Sequence, residues 1–106
     1  MTYSVHLSEK SDRDIRDIYE YIAQTLYAPM NAATVFNRIS EAILSLNEMP
    51  ERHQIYKTGS NGEEIRFLVT GNHIIYYWVD HSKSQVNIIR VLYGGMDIDK
   101  ELDSWV

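Results

Sequence analysis

The side chains in this sequence that could do chemistry include four histidines and eight tyrosines, whereas cysteine is absent. Without cysteine, a thiol nucleophile and a thiolate zinc site are excluded. The histidines are not spaced as metal ligands, and His81 beside Asp80 is typical of a turn. No Ser-His-Asp signature, phosphate-binding loop or Rossmann glycine pattern occurs. We therefore predict no metal and no cofactor.

Cations that could neutralise phosphate lie in the second half of the chain, at Arg52, Lys57, Arg66 and Arg90. They could form a local patch, yet 15 acidic residues outnumber 10 basic ones and the net charge is −5. Nucleic-acid binders usually carry a basic surplus. The charge balance therefore argues mildly against tight RNA binding.

Two further features of the sequence admit both a structural and a functional interpretation. Tyr93, at the end of a predicted strand, could be a general acid or could stack on a base, and it could equally be a core or rim tyrosine. An acidic helix face is most simply solvated, although it could repel nucleic acid or pair with a basic segment of a partner. This face consists of Asp12, Asp14, Asp17 and Glu20.

Hydrophobic periodicity predicts the elements that position these residues. Alternation predicts a strand over 2–7, and helical spacing predicts helices over 9–26 and 30–48, with Ser8 as N-cap and Pro50 as the stop. Further strands are predicted over 64–69, 73–80 and 85–93, with a short one around 53–56 and a terminal helix over 97–105.

This order predicts one α+β domain, in which an antiparallel helical hairpin packs on one face of a mainly antiparallel sheet. The last three strands should form a meander, and a short C-terminal helix should follow. The predicted core consists of Ile18, Ile22, Phe36, Ile39 and Ile43 packed against Val5, Phe67, Tyr77 and Val91. Residues expected on the opposite, outer face are Arg66, Leu68, Ile88, Arg90 and Leu92.

The strand over 74–79 is apolar on both faces, which is unusual where helices cover only one. Its outer residues Ile74, Tyr76 and Trp78 could be sealed by the C-terminal segment, with Trp105 as a lid. Alternatively, they could form a docking surface for a partner.

Length and terminal composition suggest where the protein acts. The 106 residues are enough for one domain. The first residues lack a basic region followed by an apolar one, and the apolar stretch IIYYWV is far too short for a membrane span. We expect a cytoplasmic protein without a membrane partner.

Four segments of the sequence resemble the RelE/ParE superfamily of type II toxin–antitoxin systems, and the ParE-like branch in particular. They are DIRDIYEYIAQ (14–24), VFNRISEAILSLNEMPER (35–52), EIRFLVTGNHIIYYWVD (64–80) and VNIIRVLYGGMDI (86–98). The last two are the most specific. The resemblance implies a helical hairpin on a twisted, mainly antiparallel sheet, in agreement with the periodicity.

The resemblance implies one of two targets. RelE-like members cut messenger RNA on the ribosome without a metal, whereas ParE-like members inhibit DNA gyrase. Arg66 matches a basic residue of the nucleases, but Ile74 stands where they usually carry an arginine. Tyr93 lies near the position of their His or Tyr, but Gly94-Gly95 follows instead of a basic stretch. These departures, with the acidic charge, favour a ParE-like or otherwise non-nuclease toxin.

The resemblance also implies a cognate antitoxin, and with it a toxin–antitoxin hetero-oligomer or a homodimer. The residues predicted to contact the target or the antitoxin are Arg66, Ile74, Tyr76, Trp78, Arg90 and Tyr93. If the chain is instead a nuclease, the catalytic candidates are Arg66, His73, Arg90 and Tyr93, with His53 a more remote one. A third alternative is a family member that binds its antitoxin and is not toxic.

Overall fold

The computed structural model describes residues 2–95 and confirms the predicted α+β fold. Its helices are α1 (Glu9–Glu20) and α2 (Pro29–Leu44), and its strands are β1 (Ser4–Leu7), β2 (Ile55–Thr58), β3 (Glu64–Thr70), β4 (His73–Asp80) and β5 (Gln85–Tyr93). The predicted terminal helix over 97–105, including Trp105, lies outside the described residues. None of the helices within residues 2–95 combines the length and hydrophobicity that a bilayer span requires.

Ser8 starts α1 and ties it to the sheet. Its Oγ accepts a hydrogen bond from the Ser11 backbone N–H at 3.0 Å and donates one to the Ile89 carbonyl at 2.9 Å. This satisfies an amide that the helix leaves without an internal partner. The helix passes into a π-helical turn over Tyr21–Thr25, so the predicted helix over 9–26 is continuous but not uniform. Pro29, at the first position of α2, has no N–H to satisfy.

The five strands form one mixed sheet in the order β1-β5-β4-β3-β2. β1 runs parallel to β5, and all other neighbours are antiparallel. Because β1 lies beside β5, the chain that leaves β1 carries α1 directly across β5. β2 begins two residues later than the predicted short strand and forms the other edge of the sheet.

The prediction of which β3 side chains face the helices is wrong. The two-residue turn Gly71-Asn72 pairs Thr70 with His73, so odd-numbered residues of β3 lie opposite even-numbered residues of β4. Leu68 therefore lies opposite Ile75 and packs against the helix-side cluster, whereas Phe67 lies opposite Tyr76 and packs in the cluster on the other face. The prediction had placed Phe67 with Tyr77 and had put Leu68 on the outer face.

The predicted outward direction of Arg66 is also wrong. Arg66 lies opposite Tyr77, which belongs to the helix-side cluster, so Arg66 shares that side of the sheet. In β5 the pairing shifts between Tyr76 and Tyr77 of β4, which inserts one residue and changes the alternation. Ile88 consequently packs on the helix side, whereas Arg90 lies opposite Tyr76 of the other cluster, as predicted, and its guanidinium pairs with a carboxylate of α1.

Two apolar clusters pack on the two sides of the sheet. The helix-side cluster contains Ile15, Ile39, Ile43, Leu46, Ile75, Tyr77, Val86, Ile88 and Val91. Phe36 was predicted to belong to it but is 44% exposed and makes an edge-to-face contact with Tyr19. The residues fully buried on the other side are Ile65, Tyr76, Ile89 and Leu92, with Tyr56, Phe67, Ile74 and Trp78 packed against them. β4 thus contributes side chains to a packed cluster on each face of the sheet.

Candidate functional site

A groove of about 690 Å³ separates the helical hairpin from the end of the sheet. It is lined by Asp17, Ile18, Tyr21, Ile22, Leu26, Asn31, Val35, Asn72, His73 and Tyr93. Concave, mostly apolar sites with a few converging polar groups are typical of binding sites. The groove is therefore the first candidate for function.

His73 and Tyr93, two residues singled out from the sequence, lie side by side in this groove. They face each other across β4 and β5, with their ring centroids 6.0 Å apart and an interplanar angle of 74°. The Gly71 turn, with φ +60°, begins β4 at this point, and the Gly94 amide donates to the Asn72 carbonyl at 3.0 Å. The tight turn therefore fixes where both rings stand.

The electrostatics of the groove favour cations over anions. Burial lowers the pKa of His73 from its ordinary value of 6.5, so the imidazole is neutral at pH 7. Among the described residues that line the groove, Asp17 is then the single charged side chain. His73 and Tyr93 could stack on a bound ring or exchange a proton with a ligand. No basic side chain within residues 2–95 accompanies them in the groove.

Arg66 lies in a different place, beneath a network of carbonyls and carboxylates. Its guanidinium donates to the carbonyls of His53 at 2.7 Å and Glu51 at 3.1 Å. The carboxylates of Glu51 and Glu64 lie 3.7 and 3.5 Å from it, and its side chain is 12% exposed. The guanidinium is thus both neutralised and used to hold the segment before β2.

The surroundings of Arg66 are acidic. A pocket of about 360 Å³ beside it is lined by Glu51, Asn61, Gly62, Glu63, Glu64, Arg66, Trp78, Val79, Asp80 and His81. The His81 imidazole contacts Glu51 at 3.1 Å and the Tyr3 hydroxyl at 3.2 Å. A phosphate in this pocket would lie among four carboxylates and one arginine.

Arg90 is engaged by α1. Its Nε and a terminal nitrogen donate to the two oxygens of Asp14 at 2.7 and 2.8 Å, and the Val91 amide donates to the same carboxylate at 3.0 Å. Both side chains are largely buried, at 14% and 12% exposed. The pairing of β1 with β5 ends at Ile88, and beyond that point Asp14 supplies an acceptor for the Val91 amide.

The structure therefore brings together two of the sequence-predicted residues, His73 and Tyr93, and separates them from Arg66 and Arg90, neither of which lines the groove. Ile74 follows His73 and is half-buried, as is Trp78, whereas Tyr76 is only 1% exposed. Sequence reasoning missed the groove residues Tyr21 and Leu26. The sequence did contain a sign of them, because two large apolar residues stand at the end of the first helical pattern, where exposed positions are usually polar.

Solved structures of similar fold come from toxin–antitoxin systems. One is the chromosomal ParDE system from P. aeruginosa, with a TM-score of 0.72 and 17% identity over 87% of this chain and 96% of that one. An archaeal RelE–RelB complex from Pyrococcus horikoshii gives 0.63 and 15% over 90% and 98%. The complex RelBE2 from Mycobacterium tuberculosis gives 0.58 and 19% over 88% and 92%. No curated protein sequence matches this chain significantly.

The hairpin on a mixed sheet is therefore the fold of RelE- and ParE-type toxins. Residues 5–98 also match the family described as the ParE toxin of the type II toxin–antitoxin system, parDE, and the chain belongs to this family. The resemblance noted in the sequence is thus confirmed at the level of family and fold.

Proposed function

We propose that this chain arrests growth by inhibiting DNA gyrase in the manner of ParE, and that a cognate antitoxin neutralises it in a toxin–antitoxin hetero-oligomer. The observation that carries the proposal is the engagement of both strand arginines by carboxylates of the chain itself, Arg66 by Glu51 and Glu64 and Arg90 by Asp14. Membership of the ParE family supports the same target.

RNA cleavage requires free positive charge at the site, and these contacts neutralise the two strand arginines. A ribonuclease must offset the negative charge that develops on the scissile phosphate, and losing one such donor typically costs about 10²–10³ in rate. In the groove that holds Tyr93, the described lining residues offer a carboxylate and a neutral imidazole instead. The clamp position proposed from the family resemblance holds Ile74.

The six predicted contact residues divide by accessibility. Tyr93 is 57% exposed, and Ile74 and Trp78 are half-buried, so we propose that these three contact the target or the antitoxin. We assign Arg66, Arg90 and Tyr76 a supporting part, because their contacts lie within the chain. Replacing Tyr93 by Ala should therefore weaken inhibition more than replacing it by Phe.

The test compares two activities of one purified preparation. In a DNA supercoiling assay with gyrase, the chain should inhibit supercoiling in proportion to its concentration. In a ribosome-programmed assay, messenger RNA should stay intact. Cuts within the ribosomal A-site codon that disappear in Tyr93→Phe or Arg66→Ala, with gyrase unaffected, would overturn the proposal. If induced expression leaves growth unchanged and neither assay responds, the chain only binds its antitoxin.

The second candidate function is ribosome-dependent RNA cleavage, and the edge-to-face pair of His73 and Tyr93 is the observation that favours it. A neutral imidazole could accept a proton while a phenol donates one, as general acid–base catalysis requires. The same ribosome assay decides between the two, since His73→Gln should abolish cleavage under this alternative and leave gyrase inhibition in place under the first.

A further inference from the structure

The tip of the helical hairpin presents two large apolar side chains to solvent. Tyr27 is 88% exposed and Met30 is 86% exposed, more than any other large hydrophobic residue among residues 2–95. Neither belongs to an apolar cluster of the fold, and neither lines the groove between the hairpin and the sheet. These two residues, which we call the hairpin tip, therefore add nothing to the packed core.

The backbone of Tyr27 is in a conformation that favours glycine. Its φ is +53°, and the Ala28 amide donates to the Ile22 carbonyl at 3.0 Å, which closes the end of the first helical segment. The left-handed residue at such a helix end is usually glycine, because any other side chain is strained there. A side chain that the fold neither buries nor favours indicates a contact outside the fold.

The chemistry of the hairpin tip identifies the kind of surface that it fits. Residues 25–31, TLYAPMN, carry no charge, so they offer nothing to the phosphates of RNA or of an anionic lipid. Tyrosine and methionine are enriched in the cores of protein–protein interfaces. Asp17 lines the groove together with Leu26 and Asn31, the residues on either side of the tip. The complementary surface is therefore an apolar pocket of a protein, with basic residues at its rim.

The hairpin tip is continuous with a residue for which contact with the target is proposed. Leu26 and Asn31, which flank the tip, line the same groove as Tyr93. A protein seated over Tyr93 would therefore extend to the tip. The antitoxin is not needed for this contact, because the toxin acts on its target when it is free.

We propose that the hairpin tip inserts into an apolar pocket of DNA gyrase and anchors the chain to its target. The inference rests on the proposed function for the identity of the target. It explains why tyrosine stands where the backbone favours glycine, since the ring serves the complex and not the fold.

The test compares the concentrations of purified chain that half-inhibit gyrase in a DNA supercoiling assay. Tyr27→Gly should raise this concentration at least about tenfold, because truncating an anchor residue has an effect of this size. Met30→Asp should do the same, since it places a charge in an apolar pocket. Tyr27→Phe keeps the ring and should stay within about twofold of the wild type.

Two controls separate contact with gyrase from folding. Met49 is 74% exposed, has φ +46° and lies beyond the far end of α2, so Met49→Gly makes a comparable change away from the tip and should leave inhibition unchanged. Tyr27→Gly should keep its midpoint of thermal unfolding within about 3 °C of the wild type. Relief of the left-handed backbone offsets the greater freedom of glycine in the unfolded chain.

Contact with gyrase has its own readout. Hydroxyl-radical labelling of Tyr27 and Met30 should fall at least about fivefold in the complex, since residues in an interface core lose their contact with solvent. Met49 is the internal control and should keep its labelling.

Three results would overturn the inference. In the first, Tyr27→Gly and Met30→Asp inhibit gyrase as the wild type does, or the hairpin tip stays fully labelled in the complex. In the second, Met49→Gly loses as much inhibition as Tyr27→Gly. In both of these cases the proposed function stands and gyrase binds another surface. In the third, the wild-type chain does not inhibit gyrase, and the proposed function then fails together with the inference.

Discussion

At the scale of single residues, Asp14 should contribute more to stability than its position on an acidic helix suggests. Its two oxygens accept from Arg90 and from the Val91 amide. Removing one partner of a buried pair leaves the other uncompensated, and that loss exceeds the net contribution of the pair.

Asp14→Ala should therefore lower the free energy of unfolding by about 3 kcal/mol. Asp12→Ala, which breaks an exposed pair with Arg16, should cost less than about 1 kcal/mol. Urea denaturation of both variants measures the difference. Equal costs would show that the contacts of Asp14 with Arg90 and the Val91 amide do not stabilise the fold.

Titration of the half-buried histidines should make stability depend on pH. His73 has its pKa lowered by burial, and His53 has its pKa lowered by burial and by Arg52 and Arg66. The unfolded chain, with histidine pKa near 6.5, then binds more protons than the folded chain just below that pH. The stabilisation is complete above pH 6.5 and is lost as the pH falls towards the lowered values.

Chemical denaturation at a series of pH values from about 8 to 5 tests this linkage. The free energy of unfolding should decrease on acidification, and the slope should be smaller in His73→Gln and in His53→Gln than in the wild type. His81→Gln serves as the comparison, since His81 is 54% exposed and pairs with Glu51. An unchanged slope in both of the first two variants would contradict the assignment.

At the scale of elements, the helical hairpin is asymmetric. Ile39 is 1% exposed and packs in the helix-side cluster, whereas Phe36, one turn earlier in α2, is 44% exposed and contacts Tyr19. Helical spacing places both on an apolar stripe, but only the part of the stripe above the sheet is buried.

Ile39→Ala should therefore destabilise the fold by about 2–5 kcal/mol, the usual cost of emptying a core position. Phe36→Ala should cost about 1 kcal/mol, because Phe36 loses mainly an aromatic contact at the surface. Thermal unfolding of the two variants ranks them. A larger loss of stability for Phe36→Ala than for Ile39→Ala would indicate that Phe36 is buried, as the sequence predicted, and would contradict the structure.

At the scale of the whole molecule, the acidic balance and the engaged arginines predict poor affinity for RNA. The net charge is −5, and the four carboxylates around the Arg66 pocket repel phosphate. Non-specific binding depends on releasing counterions to basic side chains, which this surface does not offer in quantity.

Fluorescence anisotropy with a single-stranded RNA oligonucleotide should show no saturable binding at about 0.15 M salt. The double variant E51Q/E64Q removes two negative charges beside Arg66 and should bind a few-fold more tightly, with a stronger salt dependence. Asp12→Asn combined with Glu9→Gln makes the same charge change on α1 and should have less effect. Tight binding by the wild type would count against the gyrase-directed assignment.

The sequence by itself determined the order of elements, the α+β class and the family. The apolar spacing of α1 and α2, Ser8 before the first helix and Pro50 after the second are local signals, and each acts within a few residues. For the same reason the sequence located His73 and Tyr93 at strand ends, where their rings now meet.

Only the tertiary structure decided which side of the sheet each residue faces. The pairing of Thr70 with His73 and the bulge in β5 change the parity of the alternation, and neither is visible where both faces of a strand are apolar. Ion pairs between elements that are distant in the chain cannot be predicted from the sequence either. Asp14 and Arg90 are 76 positions apart in the chain. Their contact shows that Arg90, which the sequence offered as a candidate phosphate ligand, instead links β5 to α1.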